Sequence, residues 1–88
     1  MSNKSVKSIF DERHGKLIAK LVELRKSKGL TQRDLVAKSG YDKCFVGRVE
    51  TREHRLDLIE LIDYMRALDL SDSEILELIR TVVEEKNA

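Results

Sequence analysis

Apolar residues in this chain recur at intervals of three and four, and no segment shows the strict alternation of a half-buried strand. That pattern restricts the fold to packed helices. The chain contains no proline, so helix boundaries must be written in capping side chains and glycines. From Asp11 to Lys28, the residues Leu17, Ile18, Leu21 and Leu24 line one face, while Lys16, Lys20, Glu23 and Lys26 fill the other. Gly29 follows the last basic turn, where a left-handed cap belongs. Thr31-Gln32-Arg33-Asp34 reads as a capping box opening a helix of about two turns that stops at Gly40. Its inner face is narrow, with Leu35 and Val36. Asp42 caps a third helix, which turns Val46 and Val49 inward. Asp57-x-x-Glu60 opens a fourth, largely apolar on one side through Leu58, Ile59, Leu61, Ile62, Met65 and Leu68. Ser71-Asp72-Ser73-Glu74 is the clearest capping box and begins a fifth helix running to about Glu85. The expected fold class is all-α, a compact bundle of about five helices.

An 88-residue chain is one domain by length. Residues 1–10 read as a flexible N-terminal segment and 11–85 as the domain. With 41% hydrophobic residues and a net charge of +1, the composition is globular rather than disordered. Cys44 is the only cysteine, which excludes an intrachain disulfide framework and any multi-cysteine zinc site and fits a reducing cytoplasm. No window approaches the ~20 apolar residues of a membrane span, and the basic start is not followed by an apolar run of signal length. A soluble, unprocessed protein without membrane contact is expected. Enzyme chemistry finds no support either. His14 and His54 are isolated from each other, Cys44 has no local base, and no His/Cys pair has metal-ligand spacing. No catalytic residue, metal or cofactor is expected.

The second and third helices, joined across Gly40, give the outline of a helix-turn-helix. The stretch from Leu30 to Gly40 (LTQRDLVAKSG), followed by Val46-Gly47-Arg48-Val49-Glu50 and Arg55-Leu56-Asp57, resembles the Cro/repressor-type (xenobiotic-response-element) helix-turn-helix regulators. The likeness spans roughly Leu17 to Leu68. It implies a lambda-repressor-like domain that binds operator DNA, usually as a two-fold dimer.

In such a motif the second helix enters the major groove and reads base edges from its N-terminal part. The residues expected to face bases are Lys43, Cys44, Gly47 and Arg48. Arg48 suits a bidentate contact to guanine O6 and N7; Lys43 suits a base or a phosphate. The Cys44 thiol can pack against a thymine methyl, or it is simply a tolerated small residue. The resemblance gives Gln32 a bond to the DNA backbone and a brace for the reading helix; a polar first-turn residue is the plainer reading. Arg33 beside it, and Arg52, His54 and Arg55 in the loop beyond, are candidates for backbone contact, the loop's alternative being simple solvation. The resemblance makes Arg25 and Glu50 a partly buried structural ion pair. Two departures from the family pattern stand out. Arg52 occupies a position where glycine is common, so a different turn is expected there. Gly47 replaces a common serine, weakening the helix while letting its backbone approach DNA closely.

Ile75, Leu76, Leu78, Ile79, Val82 and Val83 spread over roughly 160° of the fifth helix, wider than the ~100° stripe that one core requires. The surplus marks residues 71–85 for dimerisation, with Ile75, Leu76, Ile79, Val82 and Val83 as interface candidates; a broad core face in a monomer is the alternative. The charge balance points the same way. Residues 1–55 hold 14 Lys/Arg against 7 Asp/Glu, a net of +7, and residues 56–88 hold 3 against 9, a net of −6. The small overall charge is therefore a cancellation, and the helix-turn-helix half is strongly basic. The expected function is sequence-specific binding of double-stranded operator DNA by a small bacterial or phage-type repressor or controller acting at the nucleoid. An antitoxin that represses its own operon, with an unidentified protein partner, shares this chemistry. A protein-interaction module without DNA is the reading of a different class.

Overall fold

The computed structural model describes residues 11–84. The expected N-terminal segment, 1–10, lies outside them. Five helices follow one another: α1 (Glu12–Ser27), α2 (Gln32–Ser39), α3 (Lys43–Glu50), α4 (Leu58–Ala67) and α5 (Asp72–Val83), with no strand among the described residues. Each begins on a side-chain cap. Asp11, Thr31, Asp42, Asp57 and Ser71 each accept a backbone N–H of the first turn, and the caps of α2, α4 and α5 are complete boxes closed by Asp34, Glu60 and Glu74.

The helix ends are less uniform. After α1, Gly29 takes a left-handed φ of 72°, and the N–H of Leu30 reaches back to the carbonyl of Arg25. The same double reach-back closes α3 and α4, but there the left-handed residues are Arg52 (φ 67°) and Asp69 (φ 54°). The expectation of a different turn at Arg52 is thus corrected. The turn is kept and a non-glycine residue bears its strain, roughly 1–2 kcal/mol. Gly15 of α1 accommodates the result, because the Arg52 guanidinium occupies the space a Cβ there would need.

Ile18, Leu21, Leu35, Val46, Val49, Leu56, Tyr64, Ala67, Leu68 and Leu78 form the buried core. α5 packs along α1, α2 packs on both α3 and α4, and α3 also touches α1. Two cross-helix ion pairs, Lys20–Glu77 at 3.2 Å and Lys28–Glu74 at 3.1 Å, fasten α5 to α1. Only Leu78 of α5 is fully buried. Ile75 and Val82 are half-buried, while Leu76, Ile79 and Val83 are 57%, 38% and 73% exposed. At the start of α4, Leu58 and Ile59 also stand in solvent, 69% and 64% exposed. A groove between α4 and α5 is lined in part by Ile62, Met65, Leu70 and Ile75.

Candidate nucleic-acid interface

α3 is an eight-residue helix whose orientation follows from its two core residues. Val46 and Val49 are 0% and 1% exposed. Sinking that pair into the bundle turns Lys43, Cys44 and Arg48 to solvent, with Gly47 half-exposed between them. Nothing lies within 4 Å of where a Cβ on Gly47 would stand, so the middle of this face is bare backbone. Asp42 caps the helix through a 2.7 Å bond from the N–H of Phe45. The hydroxyl of Thr51 folds back onto the carbonyls of Gly47 and Arg48 and tidies the other end.

The start of α2 lies beside the end of α3. Its capping box satisfies the N–H groups of Thr31 and Asp34, and the Thr31 amide and hydroxyl hold the Asp34 carboxyl below the ordinary range. Gln32 and Arg33 are exposed in this first turn, where helix geometry leaves backbone N–H groups without intrahelical acceptors. The Gln32 amide donates 2.8 Å to Oε1 of Glu50, joining α2 to α3.

Glu50 is the centre of a larger network. Arg25 of α1 binds it through two parallel bonds, Nε to Oε2 at 2.7 Å and Nη2 to Oε1 at 3.0 Å, and its Nη1 donates 2.7 Å to the carbonyl of Leu30. The two side chains are only 9% and 11% exposed. Bidentate geometry with extra acceptors is what makes a buried ion pair tolerable. The network therefore locks α1, the start of α2 and the end of α3 in one relative setting.

The loop after α3 is less of a unit than its basic residues suggest. Arg52 lays its guanidinium over Gly15 of α1. His54 turns toward α4, with Nε2 3.1 Å from Oε1 of Glu60 and its ring 4.7 Å from that of Phe45. Arg55 is exposed. The structure thus brings Lys43, Cys44, Gly47 and Arg48 onto one open face and sets Gln32 and Arg33 next to it, while Arg52 and His54 also serve internal contacts. Sequence reasoning missed an aromatic stack behind α3. Tyr41 packs on Phe45 at 4.5 Å and donates a 2.6 Å hydrogen bond to Asp63, which with burial pushes the phenol up to about 12. Tyr41 and Phe45 at i and i+4 were the available signal.

Among the described residues, no group of three or more His, Cys, Asp or Glu side chains is placed to hold a metal ion, and no helix is long and apolar enough to cross a membrane. No family model matches the chain, and no curated protein matches its sequence. Two solved structures are similar to it, both of the restriction-modification controller protein C.Esp1396I. A point mutant of that protein shares 28% identity over 84% of this chain and 95% of its own, with a TM-score of 0.71. The tetramer of that protein in complex with its natural 35 base-pair operator shares 27% identity over 82% and 96%, also with a TM-score of 0.71. These neighbours are helical DNA-binding controllers, and the likeness is consistent with the Cro/repressor-type resemblance of the sequence.

Proposed function

We propose that this chain is a DNA-binding transcriptional regulator, a controller or repressor of the Cro/repressor type, which inserts α3 into the major groove of an operator half-site. The observation that carries the reading is the open α3 face, with Lys43, Cys44, Gly47 and Arg48 presented by a helix whose other side is locked by Val46, Val49 and Glu50. The operator complex of C.Esp1396I, at 27% identity across nearly the whole of that chain, supports the same use here. Arg48 reads guanine, Lys43 reads a base or holds a phosphate, and the small Cys44 and Gly47 allow the backbone close approach. An amide NH2 carries two donors, so Gln32 can brace Glu50 with one and reach a phosphate with the other. Arg33 and Arg55 grip the backbone, with Arg52 and His54 beside them. The protein needs no cofactor for this and carries out no catalysis.

Recognition of a two-fold operator calls for two copies of the chain. The exposed Leu76, Ile79 and Val83 of α5, flanked by Ile75 and Val82, are the surface we assign to the homodimer. Such an exposed apolar set is what a soluble protein covers. The half of the sequence that carries it is the acidic one, so the dimer seam lies in the part of the chain that DNA repels, and the +7 half supplies the DNA side. The chain would work on DNA in the cytoplasm. A mobility shift with genomic fragments tests the proposal: one fragment is retained specifically, binding weakens steeply with salt, and Arg48→Ala removes the preference. Absence of binding to every fragment at low salt overturns it.

A further inference from the structure

We propose that Asp63 and Glu60 of α4 are positioning residues for the reading helix, acting through the ring stack Tyr41–Phe45–His54 to set the angle at which α3 meets DNA. The inference rests on the reading of α3 as the recognition helix. An eight-residue helix has little stability of its own, so its setting must come from what holds it. The Arg25–Glu50–Gln32 network holds its C-terminal end from the α1 side. Val46 and Val49 sink its inner face into the core, and beside them Phe45 ties its N-terminal half to a set of rings.

Phe45 is flanked by three rings. Tyr41, just before the helix cap, stacks on it at 4.5 Å and 26°; His54, just beyond the helix end, packs at 4.7 Å and 60°; and Tyr64 of the core meets it edge-on at 6.3 Å. Tyr64 is fixed by burial, at 1% exposed. The other two are only partly buried and are held by carboxylates of α4, the helix that also carries Tyr64. The Tyr41 hydroxyl donates 2.6 Å to Oδ2 of Asp63, and His54 Nε2 lies 3.1 Å from Oε1 of Glu60. The two carboxylates are three residues apart and so share one face of α4. Glu60 is itself held still, because the same Oε1 accepts the N–H of Asp57 at 2.9 Å in the capping box. Two chains of contacts thus join α4 to Phe45, one through Asp63 and Tyr41 and one through Glu60 and His54.

Base readout needs side chains held within about 0.5 Å and 10–20° of productive geometry, whereas phosphate attraction does not. Loosening the clamp should therefore spare non-specific binding and weaken specific binding. Tyr41→Phe keeps the ring and removes one oxygen, so the fold survives; Asp63→Ala removes the acceptor; Asp63→Asn keeps an acceptor oxygen in place. With the duplex recovered by selection as the specific probe and a scrambled duplex of equal length as the non-specific one, Tyr41→Phe and Asp63→Ala should each lower the specific-to-non-specific ratio about 3- to 10-fold. Their double variant should be no worse than either, and Asp63→Asn should restore most of the ratio. Glu60→Ala should act in the same direction. In the free protein, amide exchange in α3 should quicken in the two loosened variants and stay slow in Asp63→Asn. The exchange arm needs no DNA, so a wild-type chain that binds no duplex defeats the functional reading while exchange still decides the clamp. An unchanged ratio with unchanged α3 exchange in Tyr41→Phe and Asp63→Ala overturns the inference, as does a loss in Asp63→Asn equal to that in Asp63→Ala.

Discussion

At Gly47 a side chain would stand in open space and the backbone φ is unremarkable, so glycine there serves nothing in the fold. Gly47→Ala should stabilise the protein by about 1 kcal/mol, the helix-propensity difference, and at the same time weaken operator binding by placing a methyl between α3 and the groove. Chemical denaturation and a binding titration on the same variant measure both; a gain in stability without any change in affinity would remove Gly47 from the reading face. Arg25 and Glu50 present the opposite case. With both side chains about nine-tenths buried, Arg25→Met leaves the Glu50 carboxylate uncompensated and should cost about 3–5 kcal/mol in urea unfolding. Adding Glu50→Leu should recover much of that loss, because the cost lies in the stranded charge rather than in the missing bond.

The helix starts were legible in the sequence because a cap is local. Thr31, Asp42, Asp57 and Ser71 each sit where their side chains accept an N–H of the first turn, and the three capping boxes need only the residue three places on. The ends were legible only where glycine marked them. Arg52 and Asp69 adopt left-handed turns that their own residue types do not announce; at Arg52 the only hint is that the resembling family commonly has glycine there. The same holds at the candidate interface. The outward face of α3 follows from the spacing of Val46 and Val49, whereas the engagement of His54 with Glu60 and of Tyr41 with Asp63 spans separate elements that no local pattern joins. The caps also predict an acid response. Asp34 and Glu74 are held below their ordinary range, first by the backbone N–H groups of Thr31 and Ser71. In the unfolded chain they take up protons near pH 4, and in the folded chain only at lower pH. Their contribution to stability is therefore complete above that range and lost as the pH falls through the folded values. Thermal unfolding between pH 6 and about pH 3 should fall less steeply in Asp34→Asn and Glu74→Gln than in the wild type; equal slopes would show that the caps are not what acid releases.

For the molecule as a whole, the small net charge conceals a basic half that carries the helix-turn-helix and an acidic half that carries the exposed apolar residues of α4 and α5. That division gives the dimer its testable form. Ile79→Asp should leave the helical content intact, give a single 10 kDa species by light scattering at micromolar concentration, and weaken binding to a two-half-site duplex far more than to one half-site; a wild-type chain that is itself monomeric in those conditions would contradict the assignment of α5. The central claim, that α3 reads an operator, is tested most directly by selecting bound duplexes from random DNA with the intact protein. The account predicts a recovered site with two-fold symmetry and half-sites about one helical turn apart, whose selection is lost with Arg48→Ala. Recovery of no sequence preference at all, with binding that depends on salt alone, would contradict it.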